Sequence, residues 1–155
     1  MPDEYEDFVN KFKPKKTTDD CYTPPQIYDA IADYVASRYN VDRRHFVRPF
    51  YPGGDYKRYE YSDGAIVCDN PPFSILTEII GFYSSVGTKY FLFCPSLRLP
   101  LRQSKSRTLI ACGATIEYKN GAKVSTSFVT NMEPSGALIM SLPELNRIVK
   151  DTQKK

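Results

Sequence analysis

Apolar positions along this chain change their period several times, and each change marks an element. After Thr23-Pro24-Pro25, the residues Ile27, Ile31, Tyr34 and Val35 recur at helical spacing, and the pattern fades near Asn40. Thr23 with Gln26 three positions on has the form of a capping box, and prolines are tolerated in a first turn. Residues 45–50 read as a short strand, 51–55 as a glycine loop, 59–61 as another short strand, and Ser62-Asp63-Gly64 as a turn. Residues 65–69 read as a strand of buried type, apolar from Ala65 to Cys68 and ending at Asp69. Ser74 then caps a predicted helix in which Leu76, Ile79, Ile80 and Tyr83 share a face and Gly87 is the stop. The run 89–94 is continuously apolar after Lys89, as expected of a strand covered on both faces, and Pro95 ends it.

Residues 97–107 read as a loop. Two alternating stretches, 114–118 and 124–130, flank Asn120-Gly121, the strongest short hairpin signal. Ser141-Leu142-Pro143-Glu144 makes a further capping box before a last helix carrying Leu145, Ile148 and Val149. The order helix, three strands, helix, strand, antiparallel hairpin, helix predicts a three-layer α/β domain over residues 19–155. Residues 1–18 read as a flexible charged arm, acidic at first and then basic at Lys11, Lys13, Lys15 and Lys16. The pattern contains no internal repeat.

Composition changes this picture little. A chain of 155 residues supports one moderate core and no second full domain. No run approaches the ~18 apolar residues of a membrane span, and no signal-peptide pattern opens the chain. The four cysteines (21, 68, 94 and 112) lack CxxC spacing, and three lie in apolar segments. They read as buried thiols in a reducing cytoplasm, with no disulfide frame and no metal site. A net charge of +3 is too small to prove a polyanion partner.

The chemistry lies in Asp69-Asn70-Pro71-Pro72-Phe73, between a strand and a helix. Each proline removes a donor and fixes φ near about −65°, which holds the carbonyls of Asn70 and Pro71 in a rigid pose. The amide oxygen of Asn70 and the carbonyl of Pro71 are acceptors beside the flat ring of Phe73. That set suits a planar ring carrying an NH2 group, with two N–H bonds accepted and one face stacked. The bland alternative is a strand-ending Pro-Pro turn with a core phenylalanine.

At these residues the chain resembles the amino-methyltransferases, whose signature is (Asp/Asn/Ser)-Pro-Pro-(Tyr/Phe), and in particular the compact phage-type DNA adenine methyltransferases of restriction-modification systems. The resemblance runs from about residue 19 to residue 130. It implies a reduced Rossmann-like methyltransferase sheet with a C-terminal antiparallel hairpin, and S-adenosylmethionine as cofactor. It also implies catalysis by Asn70, Pro71, Pro72 and Phe73 on an adenine amino group in DNA. Hydrogen bonds to both N–H groups favour a pyramidal nitrogen, a gain realised mainly in the transition state. Because a stacked base is out of reach, the target would be flipped onto Phe73.

Arg48-Pro49-Phe50-Tyr51-Pro52-Gly53-Gly54-Asp55 is similar to the family's first glycine loop, Asp-Pro-Phe-x-Gly-x-Gly. Arg48 stands where an acid is common, and the glycines are adjacent. The resemblance gives Phe50, Gly53 and Gly54 to the cofactor's methionine portion. Asp55 would hold its ammonium, Glu60 its ribose hydroxyls, and Asp69 would join them. Tyr22-Thr23-Pro24 is similar to the segment that opens the first helix over the cofactor's carboxylate, where free N–H groups favour an anion. Two departures stand out. The stretch from Gly54 to Asp69 is too short for βαβ units of about 30 residues, so the adenosine pocket is reduced or completed by a second subunit in a homodimer. There is also no separate recognition domain.

DNA contacts therefore fall to loops: Arg98, Arg102, Lys105 and Arg107, with Lys13, Lys15 and Lys16 of the arm, are positioned for phosphates. His45 reads as structural, Thr126, Ser127 and Thr130 as ordinary strand residues, and Asn131 as a turn residue that could also border the site. Beside DNA methylation stand two other readings: methylation of an amine or amide in RNA or protein, and a degenerate methyltransferase-like module that binds DNA or a partner protein.

Overall fold

The computed structural model describes residues 23–50, 55–95, 108–117, 123–134 and 139–153. In chain order the elements are α1 (Pro25–Tyr39), β1 (Phe46–Val47), β2 (Ile66–Asp69), α2 (Leu76–Val86), β3 (Lys89–Pro95), β4 (Thr108–Glu117), β5 (Lys123–Thr130), β6 (Ile139–Met140) and α3 (Pro143–Gln153). Short 3-10 turns, Arg43–His45 and Phe73–Ile75, precede β1 and α2. The strands form one mixed sheet in the order β1-β2-β3-β5-β4-β6. β1, β2 and β3 run parallel; β5 is antiparallel to both β3 and β4, and β6 is parallel to β4.

The two faces of the sheet are covered by different helices, which explains the unbroken apolar runs. Phe91 and Phe93 of β3, with Cys68, Ile110 and Phe128, pack under α1 and α3, against Ile31, Val35, Leu145 and Val149. The alternate positions Tyr90, Leu92 and Cys94, with Val67 and Val129, pack under α2 and Tyr56. Each such aliphatic or aromatic side chain contributes about 1.5–3 kcal/mol when fully buried. Both sets are fully buried from Tyr90 to Cys94, so each of those five positions must be apolar.

Several expected boundaries hold. Asn40 ends α1 in the left-handed conformation (φ 52°), with its N–H bonded back to Ala36 and Ser37. Gly87 ends α2 at φ 75°, in the same left-handed region, where glycine has no Cβ to clash. The hairpin forms from Glu117↔Lys123 to Thr108↔Thr130, with a register shift between Ile110 and Ala114; its Asn120-Gly121 turn lies outside the described residues, as do the arm and residues 97–107.

Other expectations fail for identifiable reasons. Thr23 is not the cap of α1: Pro24 holds that position, with Pro25 inside the first turn and no side-chain cap bond. Ser74 does not cap α2 either, because Pro72 starts a 3-10 turn at Phe73 and the helix begins only at Leu76. The predicted strand at 45–50 shrinks to Phe46–Val47, since Asp42 caps a 3-10 turn through Arg44 N–H. Residues 59–61 form no strand. There the Tyr61 hydroxyl bonds the Tyr56 carbonyl (2.7 Å) and the Tyr83 hydroxyl (2.8 Å), so packing onto α2 replaces ladder pairing. Among the described residues no helix is long and apolar enough to cross a membrane.

Candidate functional site

Parallel strands offer binding sites beyond their carboxyl ends, where the chain turns into loops and helices. Here β1 ends before Arg48 and β2 ends at Asp69, side by side in the register Val47↔Val67. The two ends are tied together by one buried carboxylate. Asp69 accepts from Arg48 Nε (3.0 Å) and the Phe50 N–H (2.9 Å), and from the N–H of Asn70 (2.8 Å). Its side chain is only 2% exposed, whereas that of Arg48 is 41% exposed. Burial raises the Asp69 carboxyl above its ordinary range, opposed by the Arg48 charge and the two backbone N–H groups.

Arg48 is held from below as well. Its guanidinium carbon sits 3.8 Å from the ring centre of Tyr28, on α1. The Tyr28 hydroxyl donates to the Cys68 carbonyl at 2.7 Å, so the ring is itself fixed to β2. Tyr28, Arg48 and Asp69 thus link α1, β1 and β2 in one cluster. Sequence reading noted Arg48 only as a misplaced charge. The usable signal was that opposite charges end two strands that become neighbours.

From this base the chain runs into Asn70, which is buried, and Pro71, also buried. The following turn uses the Pro72 carbonyl, which accepts from Ile75 N–H at 3.3 Å, and not that of Pro71. Phe73 is half-buried against the α1 and α3 side of the core, while Phe50 packs against the α2 side. Phe50 lies 5.3 Å from Tyr56 and 6.4 Å from Tyr83, ring centre to ring centre. Two partly covered rings from opposite faces of the sheet therefore flank the Asp69-Asn70 corner.

The remaining expected residues divide. Thr23, buried beside the start of α1, has a hydroxyl with no hydrogen-bond partner among the described residues. Asp55 is exposed and engaged within its own turn, accepting from Lys57 N–H (3.0 Å) and lying 3.6 Å from Arg58 Nε. Glu60 is exposed in an irregular segment rather than at a strand end. Tyr22, Gly53, Gly54, Arg98, Arg102, Lys105 and Arg107 lie outside the described residues. Asn131 lies at the amino end of β3, accepting from Tyr90 N–H and donating to the Thr88 carbonyl, at the opposite end of the strands from Asn70.

Two clefts fall elsewhere. One of about 790 Å³ lies between the start of α1, the β4–β5 hairpin and α3; another of about 690 Å³ lies at the amino ends of the parallel strands. Neither is lined by Asn70, and the position of the strand ends, rather than cleft size, marks the site. Among the described residues no cluster of His, Cys, Asp and Glu could hold a metal ion. Comparison of the chain with protein-family models, with curated proteins and with solved structures gave no match.

Proposed function

We propose that this chain transfers a methyl group from S-adenosylmethionine to the exocyclic amino group of adenine in DNA, at the carboxyl end of β2. The observation that carries the reading is the fixed strand end: Asp69 binds the start of Asn70 and the β1 loop together, and Asn70-Pro71-Pro72-Phe73 leaves from that anchor. The parallel strands β1 to β3, covered by helices on both faces, support a Rossmann-like sheet of reduced size.

The donor set fits the amino-acid end of the cofactor. Thr23 offers a buried hydroxyl with no partner among the described residues, at the start of a helix that carries no acid in its first turn. Arg48 offers a half-exposed guanidinium. The adenosine end is less well provided, since Asp69 is occupied by internal bonds and Glu60 is exposed. Bound here, S-adenosylmethionine would supply an electrophilic methyl group. The Asn70 amide oxygen and the Pro71 carbonyl accept the two N–H bonds of the target amine and hold its nitrogen pyramidal. Phe73 supports the flipped ring from one face, as an aromatic platform does for an unstacked base.

A second reading, a methyltransferase-like module that binds DNA or a partner without catalysis, draws on one observation. Tyr56 and Tyr61 fill the surface over α2 where a further βα unit would wall a pocket. Calorimetric titration with S-adenosylhomocysteine, on the protein alone and with duplex DNA, separates the two. Saturable binding of one ligand per chain is expected. Heat only in the presence of DNA would mean that the substrate completes the pocket, and no heat in either case would favour the binding module.

A further inference from the structure

The guanidinium of Arg48 is only half used. Its Nε is committed to Asp69 at 3.0 Å, and its plane is supported by the Tyr28 ring at 3.8 Å. Neither terminal nitrogen has a hydrogen-bond partner among the described residues, and the side chain is 41% exposed. A surface arginine ordinarily loses rotamer freedom when it binds an anion. This one has already been ordered by a carboxylate that is 2% exposed and by a ring anchored to the Cys68 carbonyl. It also sits at the carboxyl end of β1, in register with the strand that leads to Asn70.

From this we infer that Arg48 is the oxyanion anchor of the site, presenting its two terminal nitrogens as a fork to a carboxylate or phosphate of the ligand. The inference rests on the methyl-transfer reading for its setting. Arginine suits the role because two parallel N–H bonds match the two oxygens of either group, which a lysine cannot do. The carboxylate would be that of the amino-acid end of the cofactor; the phosphate would belong to the DNA backbone. Asp69 is then a positioning residue: it holds Arg48 in place without touching the ligand.

The test compares wild type, Arg48→Met and Arg48→Lys against three probes: S-adenosylhomocysteine, methylthioadenosine (which lacks the amino-acid end) and a short duplex oligonucleotide. Arg48→Met should weaken S-adenosylhomocysteine about tenfold or more and leave methylthioadenosine unchanged. Loss of oligonucleotide affinity with a shallower salt dependence, at unchanged S-adenosylhomocysteine affinity, would also support the anchor and assign it to phosphate. Arg48→Lys retains a cation for Asp69 and should fold; it is the variant to read if Arg48→Met does not, and it should lose affinity in the same direction. Unchanged affinities in a folded variant would overturn the anchor while leaving methyl transfer standing. A wild type that binds none of the three probes would overturn both.

Discussion

Replacing Tyr28 tests whether the site is built from α1 upward. In Tyr28→Phe the ring under Arg48 remains and only the hydroxyl is lost. Burial pushes the Tyr28 phenol far above its ordinary range, so it stays a donor at any working pH. The change therefore leaves the Cys68 carbonyl, in a fully buried segment of β2, without its 2.7 Å partner. An unsatisfied buried acceptor costs about 1–3 kcal/mol. For a chain of this size each kcal/mol lowers the melting temperature by about 2–4 °C. Tyr28→Leu removes the ring as well, and with it the cation–π contact at 3.8 Å, a further loss of about 0.5–2 kcal/mol. Thermal and urea unfolding of Tyr28→Phe, Tyr28→Leu, Arg48→Met and the Tyr28→Leu/Arg48→Met double variant give both quantities. The double-mutant cycle should return a coupling of about 0.5–2 kcal/mol between ring and guanidinium. A Tyr28→Phe variant as stable as wild type, together with zero coupling, would refute the linked Tyr28–Arg48–Asp69 cluster.

Three further outcomes follow from the same structure. The Asp69 carboxyl is raised by burial, so the folded chain holds its proton more tightly than the unfolded chain; the stability it contributes is full below about pH 3.9 and is lost as pH rises through its raised value. Urea unfolding should therefore show wild type losing ground to Asp69→Asn as pH rises from mild acid to neutrality, and the opposite slope would mean that Arg48 outweighs burial. Cys68 and Cys94 are both buried, with thiols pushed up to about 12, so mass-mapped alkylation at mildly alkaline pH should leave both unmodified until the protein unfolds; rapid labelling of either in the folded chain would contradict the core assignment. Gln153 bonds the Glu117 N–H and the Thr115 carbonyl, each at 2.9 Å, on a stretch of β4 beyond its short pairing with β6. Gln153→Ala should cost about 1 kcal/mol and raise concentration-dependent self-association in sedimentation through the uncovered edge, and unchanged behaviour would show that the amide protects nothing.

What the sequence revealed depended on how local the cause was. The strand at Lys89–Pro95 was legible because burial on both faces leaves only apolar residues from Tyr90 to Cys94, and the stop at Gly87 because its left-handed φ favours glycine. Caps were misread where prolines intervene: Pro24 and Pro72 shift the start of each helix from the hydroxyl residue that the pattern favoured. β6 has two residues, too few for any period, and β4 begins at Thr108, ahead of the alternation that marked it. The Asn70-Phe73 segment stood out because its chemistry is contiguous. The Arg48–Asp69 pair did not, because its partners are separated in sequence and meet only when β1 and β2 align. Asp69 was expected to serve the cofactor; its oxygens accept from Arg48, Phe50 and Asn70, contacts that the sequence did not indicate.

The central claim is that the end of β2 carries methyl transfer, and labelled methyl incorporation tests it most directly. Wild type and Asn70→Ala, matched for folding by circular dichroism, are incubated with labelled S-adenosylmethionine and with DNA, RNA or protein in turn. The account predicts label in DNA, recovered as N6-methyladenine, at a rate reduced at least about a hundredfold in Asn70→Ala, as for loss of a transition-state hydrogen bond. Equal incorporation by the two proteins, or none into DNA by wild type, would contradict it.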